Sequence, residues 1–170
     1  TILGFAVYGY SMVAIGFGQG LTPLVSVCWG AKEQKTAMEL RGMTNQILFT
    51  IGFLFAVFFF IFGKRYAGMF GCSENVADMV SAGFRIYAVT FLFMGYDVIN
   101  SMYFTSCGDA LSSALISSLR GIILLRGFTF LFSALWGMTG VWLAAPASES
   151  LTMIVTVWLI TQHKKELESR

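Results

Sequence analysis

Asp97, Arg120 and Glu149 each stand inside a long apolar stretch of this chain. A charged side chain at mid-bilayer depth costs roughly 2.5–3.5 kcal/mol on insertion scales. Side chains kept there face the bundle interior and mark paths for ions or substrates. The chemistry open to this trio is ion exchange: a carboxylate takes up and releases H⁺ or Na⁺, beside a guanidinium that stays charged throughout. A second role is purely structural, with Arg120 paired to Asp97 or to Glu149 and the pair fixing helix packing.

The elements that must position these residues read as membrane helices. Hydrophobic residues are 56% of the chain and charged ones 12%, against about 25% charged in an ordinary soluble domain. Residues 1–31 and 42–63 contain no charge, and an uncharged apolar run of about 18 residues is long enough to span. The expected spans are 2–28, 46–62, 79–105, 110–133 and 138–161, followed by a polar tail at 163–170. Barrel strands alternate apolar and polar over about 9–11 residues. FLFAVFFFIF at 53–62 does not alternate. The fold class is therefore an all-α integral membrane protein with five transmembrane helices, occupying residues 1–162.

Lys and Arg in the connections set the orientation. Lys32, Lys35, Arg41, Lys164, Lys165 and Arg170 fall on one side, Lys64 and Arg65 on the other. The first side is expected to be cytoplasmic, with Glu74 outside. Trp29, Trp136 and Trp158 lie near span ends, as interfacial anchors do. An odd number of spans, with an opening Thr1 and no signal-peptide pattern, reads as the C-terminal part of something longer.

Other chemistries find no support. Cys28, Cys72 and Cys107 form no C-x-x-C, and the single histidine, His163, is in the tail. That sets aside disulfide frameworks, histidine triads and histidine metal clusters. GFGQG at 16–20 is not G-x-G-x-x-G and lies within an apolar span, so nucleotide binding is not expected. No nucleic-acid partner, no cofactor beyond the coupling ion and no enzymatic activity are expected. Gly16 and Gly20, and Ser113, Ser117 and Gly121, are four apart, a spacing that lets helices approach closely in lipid. Gly20 is accordingly expected at a close helix contact.

GQGLTP at 18–23 followed by GAK at 30–32, FRIY at 84–87, GDA at 108–110 and GVWLAAP at 140–146 occur in order along nearly the whole chain. Together they resemble the multidrug and toxic compound extrusion (MATE) transporters. The resemblance implies a two-lobe protein of twelve helices, of which this chain would be helices eight to twelve, without its N-terminal lobe. It implies cation-coupled (H⁺ or Na⁺) antiport of amphipathic, often cationic compounds out of the cell, across a bacterial-type inner membrane, with a cytoplasmic C-terminus. Gln19, within the first motif, is also expected among the substrate-lining residues. The chain departs from the family pattern at Cys28, where Asn is common, and at Arg126-Gly127, where a Pro is common.

Helix rise places the trio together. At about 1.5 Å per residue, Asp97, Arg120 and Glu149 lie about 12, 15 and 18 Å deep, within roughly one turn of each other. Asp97 and Glu149 are the expected ion-coupling acids and Arg120 the ion-pair partner. Phe93, Asn100 and Phe104 share a helix face with Asp97, with Tyr96 and Tyr103 adjacent. Phe93, Tyr96 and Asn100 are thus expected to line a site for organic cations, since aromatic faces attract them. The alternatives are a lipid or oligosaccharide flippase, which would line its cavity with more cations such as Arg120 and Arg126, and a non-transporting truncated fragment.

Overall fold

The computed structural model describes residues 2–71 and 73–168, and every regular element among them is helical. Thr1, Cys72, Ser169 and Arg170 lie outside the described residues, so the Cys72 and Arg170 readings have no structural counterpart here. The chain runs α1 (Ile2–Gly30), α2 (Gln34–Gly68), α3 (Glu74–Ser106), α4 (Ala110–Ser118), a π-helical turn (Leu119–Ile123) and α5 (Leu124–Glu168).

The helices end where the backbone turns left-handed. Gly108, with φ +81°, closes α3: Asp109 N–H bonds the Phe104 carbonyl and Gly108 N–H that of Thr105, at 2.9 and 3.1 Å. These are the paired bonds of a Schellman cap. Asp109 then opens α4 by accepting from Ser112 N–H at 3.1 Å. The α1–α2 turn repeats the cap with Lys32, at φ +62°, in the position glycine usually takes. Its Glu33 N–H meets the Cys28 carbonyl at 2.8 Å.

Four helical runs are long and apolar enough to cross a membrane: Ile2–Gly30, Gln34–Gly68, Glu74–Ser106 and Ala110–Leu167. Five separate spans are expected from the sequence; the last two instead share one run of 58 residues. That run is broken inside α5 at Gly137, where φ is 57° and ψ −131°. A straight helix would hold Arg120 and Glu149 about 43 Å apart at about 1.5 Å per residue. Their side chains are instead 2.9 Å apart, so the chain doubles back at Gly137. A second difference concerns α2, which starts at Gln34, well before the expected span at 46. Hydropathy reports where lipid begins, whereas a helix continues through its polar ends until a cap stops it. The tail likewise stays helical to Glu168.

The packed body is the contact of α2 with α1 and α3. Tyr10 is fully buried and donates to the Leu48 carbonyl at 3.1 Å. Around it lie Phe59 stacked on Phe84 at 4.6 Å and Phe91 edge-on to Tyr10 at 5.6 Å. Gly52 makes this approach possible: a Cβ there would overlap the Phe91 carbonyl oxygen and sit 2.8 Å from the Tyr10 hydroxyl. Phe53, Phe58, Phe60 and Ile61 are exposed on the other side of α2, as a lipid-facing surface requires.

The small-residue stripes behave differently from their spacing. Nothing lies within 4 Å of a Cβ built on Gly16, Gly20 or Gly121, which overturns the expectation that Gly20 is a close contact. Gly18 is the contact residue on that helix, set against the Met102 side chain of α3. Ser113 and Ser117 do join helices, by hydroxyls: Ser101 Oγ lies 3.2 Å from Ser113 Oγ and 2.8 Å from Ser117 Oγ.

Candidate functional site

Asp97 is completely buried on α3, facing the second limb of α5. Thr156 Oγ1 lies 2.8 Å from Asp97 Oδ1 and 2.9 Å from the Thr152 carbonyl, so one hydroxyl proton serves both acceptors. Asp97 Oδ2 has no hydrogen-bond partner among the described residues. Asp97 also lines a cavity of about 340 Å³, together with Tyr8, Ser11, Met12, Ser101, Ser117 and Arg120. The acid therefore has one oxygen held by protein and one buried without a partner among the described residues. A buried oxygen without a partner is costly, and a bound ion would remove that cost.

Glu149 also keeps one oxygen, Oε2, without a partner among the described residues, but its other oxygen meets a charge. Arg120 Nε donates to its Oε1 at 2.9 Å, with side-chain exposures of 23% for Arg120 and 11% for Glu149. Arg120 belongs to the π-helical turn, an insertion that recurs at functional sites because it re-aims a side chain and frees a carbonyl. Here the hydroxyl of Ser148, the residue before Glu149, donates to the Arg120 carbonyl at 3.4 Å. One short stretch of α5 thus holds both the charge and the backbone of Arg120. A second cavity of about 320 Å³ is lined by Glu149, Thr90, Tyr87, Ser117 and Arg120. Arg120 and Ser117 line both cavities and stand between the two acids.

The sequence trio is therefore gathered in space, and Arg120 pairs with Glu149 rather than with Asp97. The aromatic residues expected beside Asp97 are placed otherwise. Phe93 and Tyr96 are half-buried and on the wall of neither cavity. Asn100 is fully buried, accepting from Arg41 Nη1 at 2.8 Å and donating to the Tyr96 carbonyl at 2.7 Å; it anchors Arg41. Gln19 is exposed on α1. Arg126 is exposed and lines neither cavity, so among the described residues Arg120 alone supplies their positive charge. Tyr8, Ser101 and Thr156 escape the sequence reading, and Ser117 enters it only as a packing residue. Ser101 is detectable as the residue one turn after Asp97, whereas Thr156 is 59 residues away and carries no local signal.

No group of three or more His, Cys, Asp or Glu side chains able to hold a metal occurs among the described residues. A coupling Na⁺ would have to be held by Asp97 and neutral oxygens, such as the hydroxyls of Ser101 and Ser117 on the same cavity. Hard cations accept such ligands.

Comparisons agree with this architecture. The fold matches a solved structure described as the outward-facing conformation of a multidrug resistance MATE family transporter of the MOP superfamily. The TM-score is 0.87 at 16% identity, over 99% of this chain and 39% of that one. Multidrug export protein MepA of Staphylococcus aureus strain MSSA476 is 20% identical over 152 residues, 88% of this chain and 33% of MepA. MepA of strain bovine RF122 is 18% identical over the same length. The chain spans about a third of the length of the curated relatives it matches. The MatE family model matches residues 3–126, well over half of the sequence. The chain belongs to the MatE family of membrane transporters.

Proposed function

We propose that this chain is the C-terminal part of a cation-coupled antiporter that exports amphipathic, often cationic compounds across a bacterial-type inner membrane. On this reading the Gly137 reversal gives five crossings, the Lys35 side and the C-terminus are cytoplasmic, and an N-terminal lobe completes the substrate path. Asp97 is the coupling acid, exchanging H⁺ or Na⁺ through the oxygen that has no protein partner among the described residues. Glu149 is the reserve acid, occupied by Arg120 until a rearrangement parts them. The observation that carries this reading is the asymmetry at Asp97, a residue on the cavity wall, with Thr156 at one oxygen and no partner at the other, which is buried. The relatives' names supply the drug-export class.

The test is efflux of a fluorescent cationic dye from vesicles carrying the full-length protein, driven by an imposed pH or Na⁺ gradient. Asp97→Asn should abolish gradient-driven efflux while leaving amount and insertion unchanged. Wild-type efflux in that variant would remove Asp97 from coupling. Efflux that is driven equally well with no gradient would remove coupling altogether.

A further inference from the structure

A basic cleft at the opposite end from Gly137 is not used by any step above. It has a volume of about 530 Å³ and is lined by Gln34, Lys35, Met38, Glu39, Arg41, Lys164 and Leu167. Among the described residues its walls carry three cations and one carboxylate, from the start of α2 and the end of α5.

Arg41 is the fixed member. Its Nη1 donates to Asn100 at 2.8 Å and its guanidinium carbon lies 5.5 Å from the centre of the Tyr103 ring. Both anchors are neutral, so they orient the cation without cancelling it. Arg41 Nε is buried and has no hydrogen-bond partner among the described residues. Neither Arg41 nor Lys35 makes an ion pair among them. The first turn of α2 adds to the field. It contains no acidic residue, and the residue before it, Glu33, gives no side-chain cap, so its free N–H groups present the positive end of a 35-residue helix.

We propose that this cleft binds the phosphate of an anionic phospholipid headgroup. Its position favours a lipid over a dissolved anion. Arg41 directly precedes the uncharged run 42–63, and Lys164 follows the apolar run that ends at 161. Both cations thus sit at the boundary of the apolar layer, where headgroups lie. Met38 and Leu167 are half-buried apolar walls, suited to the glycerol carbons. Basic pockets between membrane helices take up acidic headgroups for these reasons. Bound there, a lipid would join α2 to α5 without touching either acid cavity, so the site is independent of the coupling proposed above.

The test uses full-length protein in neutral detergent, titrated with phosphatidylglycerol, phosphatidylethanolamine or inorganic phosphate and read by native mass spectrometry. Phosphatidylglycerol should bind in preference to phosphatidylethanolamine. Lys35 and Lys164 are exposed, so Lys35→Gln with Lys164→Gln should preserve the fold. That pair should weaken phosphatidylglycerol about 25-fold, at about fivefold per cation. Arg41→Lys, which keeps the charge, should bind more tightly than Arg41→Gln. Unchanged phosphatidylglycerol affinity in the lysine pair would overturn the site. So would equal binding of phosphatidylethanolamine, displacement of the lipid by equimolar inorganic phosphate, or no lipid bound to the wild-type protein because other parts of the chain fill the cleft.

Discussion

The Tyr10 cluster and the Arg120 clasp lie in one membrane bundle and are built on opposite terms. Around Tyr10, the Phe91 carbonyl and the Tyr10 hydroxyl close on Gly52 until no Cβ could be added. Around Arg120, a single ion pair is flanked by two cavities, and both Asp97 and Glu149 keep an oxygen without a hydrogen-bond partner among the described residues. Dense packing resists any change of volume. A charged group with room beside it has somewhere to go. The contrast teaches which part of the bundle can change state: α1, α2 and the first half of α3 form the frame, and the limbs on either side of Gly137 carry the movable charges.

The largest effect should come from unbalancing the clasp. Glu149→Gln leaves the half-buried Arg120 without its counter-charge, a loss of about 3 kcal/mol, the lower end for a buried pair. Unfolding of the purified protein in micelles would measure it. Glu149→Leu combined with Arg120→Met should recover most of the loss, since an apolar pair has no charge to compensate. If Glu149→Gln unfolds like wild type, the clasp holds nothing.

Next comes the frame. Gly52→Val forces atoms into the Phe91 carbonyl and should destabilise by about 1–3 kcal/mol, read from the same unfolding curves with transport following folded protein. A neutral result would mean that the frame yields, and the comparison would collapse from that side. Asp97→Asn should change stability by less than about 1.5 kcal/mol, because an amide oxygen still accepts the Thr156 hydroxyl. Its efflux should be lost all the same. A large loss of stability would move Asp97 from the working region into the frame. Gly20→Leu should be the mildest, within about 0.5 kcal/mol, as nothing lies within 4 Å of its Cβ position. Reduced folded protein in this variant would show that α1 meets a neighbour on that face in the full-length protein.

The sequence exposed this site through cost. Asp97, Arg120 and Glu149 stand out because lipid penalises charge, and helix rise alone brings them to similar depth. Pairing is different, because it depends on rotation about each helix axis, and the π-helical turn shifts that rotation at Arg120 with no marking in the residue types. Thr156 illustrates a second limit: a hydroxyl is inexpensive in lipid, so its partnership with Asp97 leaves no trace in hydropathy. Among the fold's features, the apolar runs and the Gly108 turn are legible. The true start of α2 at Gln34 is not, since Lys35, Glu39 and Arg41 report solvent and say nothing about helicity. Gly20 shows why spacing misleads, because a four-residue stripe names a helix face and cannot say whether a partner covers it. The face that is covered carries Gly18.

Gly137 has a consequence for how the protein is made. By reversing the chain between them, it makes Arg120 and Glu149 members of one hairpin, 29 residues apart in sequence. A ribosome adding about 5–20 residues per second leaves Arg120 without its acid for roughly 1.5–6 s. During that interval the arginine must stay in the insertion machinery or reach toward the lipid boundary. Once Glu149 arrives, Arg120 and Glu149 can enter the bilayer together as a neutral couple, and no other helix is needed to discharge that arginine.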